Sequence, residues 1–362
     1  MTTVRGKVED SKHKSFINEK IRTASFSACV AGTDIVLTLS LRIFSAVVAY
    51  RPDQELLLEV VSVLARTTEC VLIFANSPLS QVRREGLLAA GGNARIEIIQ
   101  SRENVGLGCA YNEIMRRAGQ YGGDAVLLVD QDSTLRPQVV QHLADTMREL
   151  CAAGHKVAAV GVQPVGPRQA RGRFKDVRIF LRPGRSDATT VRAVDFVISS
   201  GSLVSVSAYE AVGPFRDDFF IDAVDIEWCF RAWHRGFSCW VARDALMEHR
   251  LGQGSIAVPM LRLKLPVQPP HRLYTYVRNQ VRMLAMRHVP LRWKVKMVPY
   301  ICLQAVVYAV KGRHRAYALK AIGRGMWDGL RTMSAPVPQP ALPEPGCDVD
   351  ASDPPTTSTA EQ

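Results

Sequence analysis

Ala125-Val126-Leu127-Leu128-Val129-Asp130-Gln131-Asp132-Ser133 is the stretch whose reading decides the fold. Five apolar residues, two of them β-branched, suit a short strand covered on both faces. The strand ends in two carboxylates. Asp130 and Asp132 are two apart, so in extended chain they point to the same side. Two acids on one side can share a divalent cation, and the carboxyl end of a strand is where open α/β sheets bind ligands. The competing reading is a strand that runs into an Asp/Ser turn, with Asp132 or Ser133 capping the next helix.

Working outward, the same alternation recurs. Upstream, strands are expected at Ile43–Tyr50, Val71–Phe74 and Ile96–Ile99. Between them lie helical patterns at 53–66, with Asp53 as N-cap, and near 81–90. Asn104-Val105-Gly106-Leu107-Gly108 is a glycine-containing turn that opens a helix to about Arg117. Its spacing is weak as a phosphate loop, since it lacks the full dinucleotide pattern and any Gly-Lys-Ser/Thr. Downstream, a helix is expected from Pro137 to about Cys151 and strands at Val157–Val162, Val194–Ile198 and Phe237–Val241. Residues 165–192 read as an Arg/Gly-rich insertion with a strand at Val177–Leu181. The alternation of strands with 10–15-residue helices predicts an α/β fold, a doubly wound and mostly parallel sheet. From His271 onward the pattern is helical, and the Pro/Ser/Thr-rich end from Ala335 reads as disordered.

The chain has 362 residues, 47% hydrophobic and 22% charged, with a net charge of +12. Beyond Ala335 there are five acids and no Lys or Arg, so the remainder carries +17. Eleven Lys/Arg against one acid fall between Arg282 and Arg331. Such a region calls for an anionic partner: a phosphate-rich ligand, a membrane surface or nucleic acid. Few interleaved aromatics and no recognisable motif argue against nucleic acid. None of the eight cysteines forms CxxC. Buried reduced thiols and a cytoplasmic location are expected. The polar start carries no signal peptide pattern, and no run reaches about 18 uninterrupted apolar residues.

A second acidic group sits at 222–227, where a helix is expected to begin. Asp225 reads as a general base near the Asp130/Asp132 pair, with Asp222 and Glu227 raising its pKa by like-charge repulsion. The alternative is that acids in a first turn serve the helix dipole, with Asp222 and Asp225 as a capping box. His249 suits Mn²⁺ or Mg²⁺ as a third ligand beside two carboxylates, or is structural. Arg278-Asn279 falls on a helix from which Arg278 reaches a pyrophosphate or points into solvent.

Taken together and in order, these motifs resemble the inverting, nucleotide-sugar-dependent glycosyltransferases of family 2, and among them bacterial rhamnosyltransferases. The residues that carry the resemblance are Ala46-Val47-Val48-Ala49-Tyr50 before Pro52, Glu103–Gly108 with Ala110 and Asn112, Asp130-Gln131-Asp132-Ser133, Ser200-Gly201-Ser202, Phe220–Arg231, His249-Arg250-Leu251-Gly252 and Arg278-Asn279. The resemblance covers about Ile43 to Leu330. It implies a GT-A domain at 43–255, after an N-terminal arm at 1–42 and before a basic helical region at 256–334 and a tail at 335–362. It implies Asp132, Asp130 and His249 as metal positions for Mg²⁺ or Mn²⁺, with Asp130 also near the donor ribose. Tyr50, Asn76, Asn104 and Gly106 become donor-nucleotide positions and Asp225 the catalytic base. Asp222, Glu227, Arg231, Arg278 and Asn279 become supporting positions. The sequence departs at Ala75, where the family has Asp before Asn, and at Val224, where an acid often precedes the catalytic Asp.

The donor implied is dTDP-L-rhamnose, with UDP-galactofuranose or another UDP-hexose as the alternative. The acceptor implied is a cell-surface polysaccharide or lipid-linked saccharide. The rival of another class is a non-catalytic nucleotide-binding scaffold. Val295–Val310 reads either as a buried core helix or as an interfacial helix on the anionic cytoplasmic membrane face, which would make the protein peripheral.

Overall fold

The computed structural model describes residues 41–133, 135–165, 190–248, 255–258, 263–266, 268–311 and 314–333. Four strands, β1 (Ile43–Ala49), β2 (Cys70–Ala75), β3 (Arg95–Gln100) and β4 (Ala125–Asp130), form the first half of an eight-stranded sheet. They are parallel, in the order β3-β2-β1-β4. The crossovers are α1 (Gln54–Ala65), α2 (Gln81–Ala89) and α3 (Gly106–Gln120). Asp53 caps α1, its carboxylate accepting from Glu55 N and Leu56 N at 3.0 and 3.1 Å. This is the expected cap.

After α4 (Pro137–Ala152) come β5 (Val157–Val165), β6 (Val191–Val194), β7 (Ser202–Ser205) and β8 (Ser238–Glu248). The full order is β3-β2-β1-β4-β7-β5-β8-β6. β7 lies antiparallel between β4 and β5, and β6 is antiparallel to β8. Between β7 and β8 lie α5 (Val206–Val212), a 3-10 turn (Asp217–Phe219) and α6 (Val224–His234). A hairpin of β9 (Ser255–Val258) and β10 (Leu263–Pro266) precedes α7 (Pro270–Ala285), α8 (Leu291–Lys311) and α9 (Arg315–Arg331).

The sheet is buried on both faces, and alternate residues choose the face. Val47, Leu127 and Val129 pack with Leu57, Val61 and Leu64 of α1 and Leu143 of α4. Phe44, Val126 and Leu128 pack with Ile114 and Met115 of α3, Trp228 and Phe230 of α6 and Trp293 of α8. A third cluster joins α7, α8 and α9 through Leu273, Val277, Ile301, Tyr308 and Ile322.

Three expectations need correction. The strand expected at Val194–Ile198 stops at Val194. Trp233 Nε1 donates to the Val194 carbonyl at 2.9 Å, and Arg292 ion-pairs with the Asp195 carboxylate, so the chain leaves the ladder. Ala245–Glu248 belongs to the long β8 rather than to a separate segment. Cys302 is exposed, whereas Cys70, Cys229 and Cys239 are buried as expected, and all are free thiols. The expected strand at 177–181 and the tail from 335 lie outside the described residues.

Candidate active site

The parallel ladder brings the carboxyl ends of β1, β2 and β4 side by side, with Val48 opposite Asp130 and Ala49 opposite Ala75. Tyr50, Asn76 and Asp130 therefore emerge at one edge. Asp130 is the last residue of β4, and Asp132 lies exposed in the turn that follows, where Ser133 N donates to Asp130 O at 3.1 Å. The two acids flank a turn rather than standing on one side of an extended strand. Between them, Gln131 takes over the ladder: its Oε1 accepts from Tyr50 N at 2.7 Å and its Nε2 donates to Tyr50 O at 3.2 Å. A side chain thus imitates a strand partner and fixes the acidic turn to the end of β1.

The loop after the truncated β6 ties this turn to Asp225. Ser200 Oγ accepts from Asp130 N at 3.0 Å and lies 3.0 Å from Ser133 Oγ. Ser199 N donates to Asp225 Oδ2 at 2.9 Å, while Ile226 N donates to Oδ1 at 2.9 Å. Consecutive serines hold both acidic groups. Burial pushes the Asp225 carboxyl above its ordinary value, opposed by these N–H donors. Tyr111, buried on α3, is raised by burial and then by the charge of Asp130, with a smaller push from Asp225.

Asp222 is not the cap of α6. That place falls to Ala223, in the left-handed region at φ 63° with no side-chain cap. Phe220 and Asp222 are also left-handed, at φ 63° and 66°. Three such non-glycine residues in four cost on the order of 1–3 kcal/mol each and persist only where surroundings over-determine them. The surroundings are Arg278 and Asn279 on α7. Asn279 Nδ2 lies 2.9 Å from each of the carbonyl oxygens of Phe219, Ile221 and Asp222, and Arg278 donates to those of Asp218 and Phe219 at 3.0 Å. Asn279 is completely buried. Both residues hold the backbone ahead of Asp225.

Charges around this loop are arranged in pairs. Asp222 is raised mainly by burial, with Asp225 adding to it, and Arg272 opposes the rise at 3.1 Å. Burial works against the Asp218 charge, but Arg216 and Arg282 hold its carboxyl below the ordinary value. Glu227 departs from expectation. It is buried and faces Arg231 at 2.9 Å and His288 at 2.8 Å, and these partners, Arg231 first, hold it low against the opposing effect of burial. Its charge is spent there rather than on Asp225, whose shift comes first from burial. Arg231 also donates to Pro214 O at 2.7 Å, pinning the turn before the 3-10 segment.

The glycine turn is occupied by protein. Asn76 is buried, its Oδ1 accepting from Val105 N at 3.1 Å and its Nδ2 donating to Gly106 O at 3.2 Å. Asn104 Oδ1 accepts from Gly106 N at 3.1 Å and Phe220 O from Leu107 N at 2.6 Å. Gly106 has φ +81°, and a Cβ there would lie 2.5 Å from Phe220 O; at Gly108 it would lie 2.3 Å from Arg216 O. These glycines let the 216–220 loop touch the start of α3.

Among the described residues no group of three or more His, Cys, Asp or Glu could hold a metal ion, and His249 lies outside them. Asp130 and Asp132 are hard oxygen donors of the kind that take Mg²⁺ or Mn²⁺ with one or two carboxylates, the rest of the shell coming from water or substrate phosphate. Gln131, Ser199 and Tyr111 are residues that the sequence reading did not single out for the site. Three hydroxyl residues around Gly201 were the available signal, since Ser side chains in turns bind backbone N–H groups.

Residues 45–213 match the family model described as Glycosyl transferase family 2. The chain is 24% identical over 295 residues to the dTDP-rhamnosyl transferase RfbF of Shigella flexneri, an alignment covering 80% of this chain and 95% of that protein. Among solved structures it is similar to the mannosyltransferase PcManGT from Pyrobaculum calidifontis in complex with GDP-Man and Mn²⁺, with a TM-score of 0.50, 15% identity, and coverage of 83% of this chain and 77% of that one. It is also similar to TarS of S. aureus, with a TM-score of 0.51, 14% identity, and coverage of 81% and 82%.

Proposed function

Because the chain belongs to glycosyl transferase family 2, through residues 45–213, and has the GT-A fold, we propose that it transfers L-rhamnose from dTDP-L-rhamnose to a saccharide hydroxyl with inversion at the anomeric carbon. The observation that carries this reading is the serine pair that joins Asp225 to the acidic turn: Ser199 on the Asp225 carboxylate and Ser200 on the Asp130 amide. It sets a base of raised pKa beside the acids that would face a donor diphosphate.

Each residue's work follows from its surroundings. Asp225 takes the proton of the acceptor hydroxyl as its oxygen attacks the anomeric carbon, and the bond from that carbon to the diphosphate oxygen breaks. The Ser199 and Ile226 amides donate to the two Asp225 oxygens and aim the carboxylate. Burial raises its affinity for that proton. Asp132, with Asp130, would hold a divalent cation, Mg²⁺ or Mn²⁺, which when bound neutralises the charge growing on the leaving diphosphate. Tyr50, exposed at the end of β1, offers a ring face to the nucleotide base, while Asn76, Asn104 and Gly106 shape the turn beside it. Asp222, Glu227, Arg231, Arg278 and Asn279 keep the Asp225 loop in place. The proposed acceptor is a hydroxyl of a cell-surface polysaccharide or of a lipid-linked saccharide. No helix among the described residues is long and apolar enough to cross a membrane.

Calorimetric titration with dTDP and with UDP, each with and without Mn²⁺ or Mg²⁺, tests the reading on wild type and Asp132→Ala. Metal-dependent binding of dTDP that Asp132→Ala abolishes is expected. A preference for UDP would move the donor to a UDP-hexose or UDP-galactofuranose. Nucleotide binding without sugar transfer, indifferent to Asp225→Asn, would make the protein a scaffold.

A further inference from the structure

Helix α8 is apolar on two opposite faces, and only one of them is covered. Trp293, Met297, Ile301, Gln304, Val307 and Tyr308 are buried against the body of the protein. On the other side Leu291, Val295, Val298, Val306 and Val310 are exposed, from 50% at Val298 to 74% at Leu291. With 3.6 residues per turn these five, together with exposed Cys302, fall in one stripe along the helix. A helix of 21 residues carries that stripe for about 30 Å. A continuous apolar strip left in solvent marks an interaction site.

The stripe has a charged border of one sign. Lys294 and Lys296 lie about 100° to either side of Val295. Leu291–Lys311 contains no Asp or Glu. Arg292, nearer the stripe, is tied to Asp195. The neighbouring α9 adds Arg315, Lys320, Arg324 and Arg331 with exposed Tyr317 and Trp327. Its single acid, Asp328, accepts from Tyr274 Oη at 2.8 Å and faces Arg324 at 3.6 Å.

We propose that this face of α8, flanked by Lys294 and Lys296, docks on the surface of an anionic phospholipid membrane, with Leu291, Val295, Val298, Val306 and Val310 entering the headgroup–acyl boundary. An apolar stripe between lysines fits that boundary. Charge selects the occupant: a second copy would bring two basic faces together, whereas anionic lipid complements them. Of the two readings of Val295–Val310 from sequence, the buried one describes the inner side of the helix, and the interfacial one is proposed here for the outer side. The placement also serves the site. α8 packs on α7, whose Arg278 and Asn279 hold the loop before Asp225, so docking would set that loop close to a lipid-carried acceptor. The inference names the partner surface of the proposed transferase and rests on that reading for its purpose alone.

The test is co-sedimentation of the full chain with vesicles of phosphatidylcholine alone or mixed with phosphatidylglycerol, at low and high salt, with dTDP binding followed in parallel. Sedimentation with the phosphatidylglycerol vesicles, weakened by salt, is expected. Val295→Asp with Val306→Asp should reduce partitioning on the order of tenfold or more, as should Lys294→Glu with Lys296→Glu. Val295, Lys296 and Val306 are exposed and Lys294 is half-buried, and none lies in the candidate active site, so dTDP binding and thermal unfolding should be unchanged. Absence of binding to anionic vesicles, or equal binding by both double variants, overturns the proposal. So does a dimer in light scattering that Val295→Asp with Val306→Asp converts to monomer while vesicles are ignored. Loss of dTDP binding by the wild type would sink the transferase reading and leave the vesicle result standing.

Discussion

The Asn279 side-chain nitrogen lies 2.9 Å from the carbonyl oxygen of Asp222, three residues ahead of Asp225. The same nitrogen faces the carbonyls of Phe219 and Ile221, so one buried amide holds three peptide groups of a left-handed turn. Asn279→Ala strands those carbonyls in the interior. A stability loss of about 1–3 kcal/mol is expected from the desolvated groups. Because the turn carries Asp225, sugar transfer should fall further than dTDP affinity does. Thermal unfolding and kcat, measured on the same preparation, check both; equal losses in kcat and dTDP affinity would contradict the positioning role.

Asp225→Asn keeps the shape and removes the base. Transfer should fall about 10²–10⁴-fold, with metal-dependent dTDP binding retained. In the wild type, activity requires the ionised carboxylate. Burial raises its pKa, so the acid limb of the pH–kcat/KM profile should lie above the ordinary Asp value of about 3.9. A limb at or below that value would show that the group is not the base, or that substrate fully offsets its burial.

Gly106→Ala should destabilise through backbone strain and collision together. The residue sits at φ +81° and the new Cβ would meet Phe220 O at 2.5 Å. A loss of roughly 1–2 kcal/mol for the left-handed conformation alone is the lower bound. Urea unfolding of Gly106→Ala beside Gly92→Ala, where φ is +56° and nothing lies within 4 Å of the added atom, separates strain from contact. Similar losses in the two variants would mean that the Phe220 contact matters little.

Glu227 links stability to pH. Arg231 and His288 hold its carboxyl below the ordinary value despite burial. Its contribution is therefore complete above the unfolded value of about 4.3 and is lost as pH falls through the lower folded value. Glu227→Gln should flatten that acid limb of the stability curve. At neutral pH it should cost about 3–5 kcal/mol by leaving Arg231 without its buried partner. Denaturant midpoints across pH measure both effects, and an unchanged acid slope would contradict the assignment.

The layers were legible because hydrophobic periodicity is local. Val126 and Leu128 face one side and Leu127 and Val129 the other, and the helices follow the same arithmetic. Asp53 announced its helix by position alone. Side chains that bind distant backbone were not legible. Gln131 reaches Tyr50 across 81 positions, Asn76 reaches Val105 across 29, and Asn279 reaches Asp222 across 57. No pattern within a dozen residues encodes such partners. Glu227 was misread for the same reason, since His288 comes from the turn between α7 and α8. The antiparallel insertion of β7 was hidden too, because Ser202–Ser205 is a strand of four residues with no signature of direction.

That insertion sets the order in which the protein can be built. β5 leaves the ribosome before β7, yet β7 separates it from β4 in the finished sheet. Until residue 205 has been made, β4 presents an unpaired, apolar edge, and β5 has no neighbour on that side. Such an edge invites pairing with another chain. A nascent chain paused between residues 165 and 202 is thus the species most prone to aggregate, and the one for which chaperone capture matters most. Ser200 arrives in the same stretch, so the amide of Asp130 gains its partner only as β7 is laid beside β4. Joining β4 to β7 and fixing the Asp130 end of the catalytic edge are thus one event, slow because its contacts join residues some 70 positions apart, and β8 closes the rest of the sheet afterwards.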